Sequence, residues 1–319
     1  MKTVLITAIA GDIAQGVATI VRETFPQWRL IGTDIHPRHG GALFVDTLLD
    51  APRADAPGYD VWLKQLIDRE KVEIVIPMSE AELLHLSGNS IVEDAGAKFI
   101  MASAKAIEVG SDKLWTSQYL ASIGCERPWT IPAEEFDATT PLPCIFKPRR
   151  SAGSKGIFVC SSAVEVEFHR AAHPSAVLQE LLLPPDKEVT CAIFRSANGK
   201  TAVLQLLRSL VGGFTGWAQV IYEPEINAQC TRLAEALDLR GSINAQLRLT
   251  DRGPRIFEIN PRFSSTVYMR HRMGFQDVVW SLQEAFGGDP QFTYPEVGTT
   301  AVRVQGAAVL TTPRTGTSI

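Results

Sequence analysis

The stretch Arg255-Ile256-Phe257-Glu258-Ile259-Asn260-Pro261-Arg262 decides how the rest of the chain is read. It has the length and apolar content of a short strand, and it carries a carboxylate, an amide and a guanidinium at alternate positions. In an extended backbone Glu258, Asn260 and Arg262 point to one face, while Phe257 and Ile259 point to the other. A carboxylate and an amide oxygen two residues apart suit a hard cation such as Mg2+, and an arginine two residues further on meets an anion bound to that cation. An edge strand with a solvated polar face would look the same in isolation, so the neighbouring segments decide.

Immediately upstream, Ser242 to Leu249 is expected as a strand presenting Asn244 and Gln246 on one face with Arg248. The turn Thr250-Asp251-Arg252-Gly253 brings the chain back antiparallel, so the hairpin sets Gln246 across from Glu258 and Asn260. Further upstream, Leu142 to Pro148 is an apolar strand ending in Lys147, followed by Ser151-Ala152-Gly153-Ser154-Lys155-Gly156. A loop of small residues lets backbone N–H groups approach an anion closely, and Lys147 and Lys155 add positive charge on both sides of it. It is not a P-loop, because there is no G-K-[ST] and the strand Ile157 to Cys160 follows in place of a helix. A glycine-rich loop between two strands is a hairpin flap.

Val177 to Leu183 is an apolar strand with Glu180 embedded in it, and Glu188 follows the Pro184-Pro185 turn. An adenine ring needs an apolar slot edged by backbone polar groups, and a ribose needs a carboxylate for its hydroxyls; this segment could supply both. Val189 to Arg195 and Thr201 to Leu207 flank an Asn198-Gly199 hairpin turn, and Arg208 leads into Val211 to Gly216. Gln229 to Leu237 is helical. Beyond Arg262 come Ser264-Ser265-Thr266, the cluster Arg270-His271-Arg272, and a helix from Gln276 to Phe286.

The first hundred residues alternate short apolar runs with amphipathic stretches, the pattern of a doubly wound parallel sheet. Expected strands are Thr3 to Ile9, Arg29 to Thr33, Ile74 to Pro77 and Lys98 to Met101, with helices at Gln15 to Thr24, Tyr59 to Glu70 and Glu80 to Ser87. Gly11, Gly16 and Asp34 invite a dinucleotide reading, but Gly-Asp-Ile-Ala-Gln-Gly lacks G-x-G-x-x-G, which favours a plain strand-to-helix turn. Glu80 and Glu82, after the strand ending at Pro77, have two readings, a solvated helix start, which is favoured, and a reach into the cleft of the candidate substrate contacts. The character of the chain changes around Ser103 to Ser111, and Asp112-Lys113 then opens a helix reaching Ile123.

A chain of 319 residues exceeds the usual single domain, and its net charge of -4 is spread along it, leaving no basic footprint for nucleic acid or an anionic membrane. No run approaches the roughly 20 apolar residues that span a bilayer. The five cysteines are scattered without metal spacing and read as reduced thiols of a cytoplasmic protein; the histidines have no paired spacing either.

Taken in order, these segments resemble the ATP-grasp superfamily, and within it the large subunit of carbamoyl-phosphate synthetase and its stand-alone relatives. The resemblance covers about Lys2 to Gly288 and rests on five motifs: Asp112-Lys113; Pro143 to Pro148 with its glycine loop; Gln179-Glu180-Leu181-Leu182 followed by Glu188; Asn244-Ala245-Gln246; and Phe257 to Arg262. It implies an α/β fold, α+β in its second half, with a Rossmann-like pre-ATP-grasp domain over residues 1–103 and an ATP-grasp domain over 104–307. The latter would divide into a flap subdomain, about 113–180, and a metal-binding subdomain, about 181–307, before a disordered tail at 308–319. It further implies that Lys113 and Lys147 hold ATP phosphates under a flap of Ser151, Gly153, Ser154, Lys155 and Gly156, that Glu180 and Leu182 line the adenine hinge, and that Glu188 binds ribose. Gln246, Glu258 and Asn260 would be Mg2+ ligands, with Mn2+ an acceptable substitute, and Arg262 and Lys147 would be catalytic.

The implied activity is carboxylate–amine ligation on a small metabolite through an acyl-phosphate, with small-molecule carboxylate and amine partners and a homodimer compatible with it. Its counterpart from another class is a nucleotide-binding sensor or scaffold of the same fold. Where carbamoyl-phosphate synthetase has His-Thr-Gly this chain has Phe214-Thr215-Gly216, and it carries one ATP-grasp unit in place of two, so another product is expected. Arg208, Thr215, Ser264, Ser265 and Arg270 are the candidate substrate contacts.

Overall fold

The structure is a computed structural model that describes residues 2–150, 156–304 and 306–308. The chain begins with a parallel sheet. Strands β1 (Thr3–Ile6), β2 (Arg29–Asp34), β3 (Thr47–Asp50), β4 (Ile74–Ile76) and β5 (Lys98–Phe99) line up as β3-β2-β1-β4-β5. Helices α1 (Asp12–Thr24), α2 (Tyr59–Glu70), α3 (Glu80–Leu86) and α4 (Ile91–Asp94) fall between them. Because both faces of such a sheet are covered, its strands are apolar throughout: Val4 and Ile6 enter one core while Leu5, Ile31 and Val75 enter another. At about 1.5 to 3 kcal/mol per buried aliphatic side chain, these runs leave β1 no alternative register.

Helices α5 (Ala104–Gly110) and α6 (Lys113–Ser122) follow, then a four-stranded antiparallel sheet ordered β6-β9-β7-β8. Its strands are β6 (Thr130–Pro132), β7 (Cys144–Pro148), β8 (Phe158–Cys160) and β9 (Ala176–Glu180), backed by α7 (Ala163–Ala172). Phe146, Leu178 and Val166 form its core. The third sheet is six-stranded: β10 (Glu188–Arg195), β11 (Thr201–Val211), β12 (Phe214–Ile221), β13 (Gly241–Thr250), β14 (Gly253–Asn260) and β15 (Thr300–Val302). Their order is β14-β13-β10-β11-β12-β15. Helix α8 (Pro224–Ala236) packs with α5 and α6 on one face, and α9 (Val267–Arg272) and α10 (Asp277–Ala285) lie against the other.

The first sheet shares a core with the segment that follows β14. Phe263, Val267, Val278 and Leu282, from the segment after β14, pack with Val4, Ile6, Val17 and Ile20. A Cβ on Gly16 would stand 3.0 Å from Val267 Cγ1, so that glycine serves the close approach of α1 and α9. All five cysteines are buried and unpaired, and no helix among the described residues is long and apolar enough to cross a membrane. The tail from 309 onward, expected to be disordered, lies outside the described residues.

The opening stretch is a strand, but its alternation is broken. In β13–β14 Gln246 pairs with Glu258 and Asn244 with Asn260, while Leu247 pairs with Ile256, leaving Phe257 as a bulge. An extra residue reverses the parity of a strand. Ile256 and Ile259 therefore both enter the core, and Phe257 lies with Glu258 on the polar side, correcting the expectation that it backs the strand with Ile259.

Candidate active site

Three consecutive strands put polar side chains in one row. Glu188 on β10 pairs with Arg248 on β13, Thr190 with Gln246, and Gln246 in turn with Glu258 on β14. The four-stranded sheet closes over this row through β7 and β9. Between them is a cleft of about 170 Å3 bordered by Ile145, Lys147, Glu180, Leu182, Glu188 and Glu258, with Ile157 at the end of the flap. Five of the residues singled out from the sequence thus meet in one place.

Lys147 is the cation at its centre. Its side chain is 3 % exposed, and Nζ donates to Gln179 Oε1 at 2.8 Å and lies 3.5 Å from the Phe257 carbonyl oxygen. Burial pulls its ammonium down to about 8; Glu258 opposes that shift and the charge of Lys113 adds to it. Lys113 stands at the start of α6, where Asp112 caps the helix by accepting from the Leu114 and Trp115 amides. Burial works against the charged Asp112 carboxyl, but Arg149 Nε, at 2.7 and 2.8 Å from its oxygens, outweighs it and holds the group below the usual carboxylate range. The cap is therefore tied to the residue that begins the flap. Of the flap, Ser151, Gly153, Ser154 and Lys155 lie outside the described residues; Gly156 adopts φ +73°, and a Cβ there would come within 3.0 Å of Pro148 Cγ.

Glu188, expected to meet a ribose, already has cations on both oxygens: Arg208 at 2.7 Å and Arg248 at 2.7 Å. Arg208 is thereby turned into the protein. It also lies 3.4 Å from Thr215 Oγ1, which is 3.5 Å from Ser265 Oγ, so these three candidate substrate contacts form one chain beside Glu188. Glu180 is paired with Arg252, and Leu182 offers its carbonyl to Arg248 at 2.8 Å. Ser264 and Arg270 are placed differently. Arg270 is 1 % exposed, grips Asp277 through Nε and Nη2 at 2.9 and 2.7 Å, and donates to Ser264 Oγ at 2.8 Å. With its donors satisfied inside the protein it braces α9 to α10 and does not face a ligand, a correction to its expected role and to that of Ser264.

The metal-ligand candidates stand at the other end of Glu258. Asn260 Nδ2 is 3.3 Å from Glu258 Oε1, and Asn260 Oδ1 is 3.3 Å from an Arg262 nitrogen. A half-turn of the amide would present its oxygen beside the carboxylate, giving with Gln246 a hard-oxygen donor set that suits Mg2+ but holds only one negative charge. No group of three or more His, Cys, Asp or Glu side chains among the described residues could hold a metal alone. Nucleotide phosphates would have to complete the coordination.

Arg262 leads out of this row. It lies 3.4 Å from Glu80 at the start of α3 and borders a second cavity, of about 420 Å3, at the carboxyl ends of β1, β2 and β4. This is the switch point of the parallel sheet, where the strand order reverses and open α/β sheets take their ligands. Glu82 is 7 % exposed and borders this cavity, so its favoured reading as a solvated residue gives way to the alternative that it reaches a cleft. Its carboxylate is held by the hydroxyls of Thr7, Tyr59 and Ser79 at 2.6, 2.8 and 2.8 Å. Gln179 carries no local sequence signal for its role, since it depends on Lys147, 32 residues away, whereas Glu82 has a local partner in Ser79, the cap of α3, beside the distant Thr7.

Residues 173–307 match the family described as "ATP-grasp in the biosynthetic pathway with Ter operon". The chain is 30% identical over 191 residues to a D-alanine–D-alanine ligase of Thermotoga petrophila, a match covering 54% of this chain and 61% of that one. Its fold superposes on N5-carboxyaminoimidazole synthetase of Staphylococcus aureus complexed with ADP, with a TM-score of 0.76 at 15% identity, covering 91% of this chain and 79% of the other. It likewise superposes on the biotin carboxylase domain of Hydrogenobacter thermophilus 2-oxoglutarate carboxylase, solved with MgADP and bicarbonate, with a TM-score of 0.73 at 15% identity and coverage of 93% and 72%. In the matched residues and in its fold the chain is similar to members of the ATP-grasp superfamily. The ATP-grasp fold accounts for the three sheets, and the chain spans about three fifths of the length of the D-alanine–D-alanine ligases it matches.

Proposed function

We propose that this chain is an ATP- and Mg2+-dependent carboxylate–amine ligase acting on a small metabolite through an acyl-phosphate. The observation that carries the reading is the convergence of buried Lys147 with Glu258, Asn260 and Arg262 along one strand edge, opening at one end to an apolar cleft and at the other to a separate cavity. The relatives include D-alanine–D-alanine ligases, and the structural neighbours include enzymes solved with ADP or MgADP.

In this reading the nucleotide base enters the slot of Ile145, Ile157 and Leu182, and the phosphates run toward Lys147 and Lys113. Glu258, Asn260 and Gln246 would hold Mg2+, which when bound draws charge from the phosphate oxygens. A substrate carboxylate oxygen attacks the γ-phosphorus, and the bond from that phosphorus to ADP breaks. The amine nitrogen of the second substrate then attacks the acyl carbon; the carbon–oxygen bond to phosphate breaks, phosphate leaves with the electron pair, and the nitrogen gives up a proton. Lys147 and Arg262 act by position, offsetting charge on the phosphoryl and acyl oxygens. Replacing Glu258 by Ala is expected to lower ADP release in the presence of carboxylate and amine by at least about 100-fold. Undiminished release in that variant would remove the assignment.

A further inference from the structure

A third cavity, of about 370 Å3, opens between the end of the parallel sheet, the start of β13 and the last turns of α10. It shares no residue with the nucleotide cleft, and only Arg262 with the cavity at the switch point. Its size falls at the small end of the range, about 300 to 1,000 Å3, that takes small ligands. Phe99, Ile100 and Met101 border it and are each only half-buried, so its apolar lining keeps accessible surface. Two contacts fix the rim. Lys98 Nζ donates to the Ala285 carbonyl at the end of α10, and the Ala197 amide donates to Glu284 Oε1 at 2.8 Å.

The polar groups of the wall are committed, with one exception. Ser242 Oγ and Ser281 Oγ donate to Asp277 at 2.5 and 2.8 Å, so toward the cavity they can only accept. Arg262 is turned to Glu80, Asn260 and the Phe263 carbonyl oxygen. Arg240 also borders the cavity, and it has no hydrogen bond or ion pair among the described residues. Three cations, Lys98, Arg240 and Arg262, stand there against one carboxylate, that of Glu284, so the wall favours an anion. A guanidinium offers a planar fork that takes both oxygens of a carboxylate, and apolar surface beside it gains by exchanging water for a ring or an alkyl chain.

We propose that this cavity binds an amphipathic organic monocarboxylate, an acid with a single aromatic ring or a short aliphatic chain, its body against Phe99, Ile100 and Met101 and its carboxylate paired with Arg240. A second carboxylate would meet Glu284, and an ammonium in place of the acid would meet Arg240 and Lys98, so the site selects one negative charge. Pro261, Arg262 and Phe263 form part of the wall, so the ligand bears on the segment that carries Arg262 without entering the row of Lys147 and Glu258. The assignment does not depend on the ligase reading.

The test is calorimetric titration of the full chain with 3-phenylpropanoate and hexanoate, with 3-phenylpropanamide and 3-phenylpropylamine as neutral and cationic counterparts. Saturable binding of at least one acid is expected at millimolar concentration or below, with both counterparts at least about tenfold weaker and a loss of at least about tenfold in Arg240→Gln. Arg240 is exposed, so that variant should keep the urea midpoint of the unaltered chain. The place of binding is read by NMR of methyl-labelled methionine. The ring of 3-phenylpropanoate should shift the Met101 methyl signal, assigned through Met101→Leu, and leave in place that of Met78, which borders the switch-point cavity. Failure of both acids to bind, equal binding of the amide, or an affinity unchanged in Arg240→Gln would each overturn the proposal. A shift at Met78 and not at Met101 would overturn it as well, by moving the acid to the neighbouring cavity.

Discussion

At the scale of single residues, Lys147 shows how burial tunes a lysine ammonium. A nearly enclosed ammonium loses hydration that Gln179 and a carbonyl only partly replace, which brings its pKa to about 8. The unfolded chain keeps a lysine charged up to about 10.4. The folded state is thus penalised at neutral pH, by about 3 kcal/mol, and the penalty is relieved as pH rises from about 8 toward 10.5. Bound phosphate favours the charged form, so nucleotide binding at pH 8.5 should take up a fraction of a proton and weaken at higher pH. Calorimetry of ADP binding in two buffers of different ionisation enthalpy checks this: the apparent enthalpy should depend on the buffer, and the dependence should vanish in Lys147→Met. A buffer-independent enthalpy in the unaltered chain would contradict it. Lys147 itself was legible in the sequence, because a lysine closing an apolar strand before a glycine loop has few structural uses. Its partner Gln179 was not, and neither were the two arginines that occupy Glu188, since ion pairs between strands depend on a register that no local pattern reveals.

At the scale of elements, long periodic segments were readable and short edge elements were not. Helix α2 falls at Tyr59–Glu70 as expected, and β7, β10 and β13 lie within a few residues of their expected spans. Strands β3 and β15, of four and three residues, carry too little apolar periodicity to stand out. Strand β12 was hidden by the glycines at its entrance, and α7 by the exposure of nearly all its residues, only Val166 being buried. The bulge at Phe257 was invisible because it arises from pairing with β13. Placement of β14 depends on a close contact with α5: a Cβ on Gly110 would lie 2.8 Å from Pro261 Cδ and 3.1 Å from the Ile259 carbonyl oxygen. Gly110→Ala must therefore displace the segment that carries Asn260 and Arg262. It is expected to cost about 1 to 3 kcal/mol in urea unfolding. It should also reduce the rate of ADP release more than ADP affinity, because the slot proposed for the base is lined from β7 and the segment after β9. A variant with unchanged rate would show that Arg262 is positioned independently of that contact.

At the scale of the whole molecule, the sheets read from the sequence as separate units are not independent. Val17 and Ile20 of α1 share one core with Val267, Val278 and Leu282 of the helices after β14, and Trp28 stacks on Phe25 while meeting the edge of Phe286. Separated, each part would expose an apolar face that the other covers, at roughly 25 cal/mol per Å2. The Glu80–Arg262 contact adds little to this, being a partly exposed pair, but it lies where the two cavities approach each other. The chain should accordingly unfold as one unit despite its size. Urea transitions followed by far-ultraviolet circular dichroism and by tryptophan fluorescence are expected to coincide, and to move together when Val267→Ala opens the shared core. That substitution should destabilise by about 2 kcal/mol through lost burial and the cavity left behind. Two separated transitions, only one of them shifted by Val267→Ala, would show that the parallel sheet folds on its own and that the cavity beside Arg262 is assembled between independently stable parts.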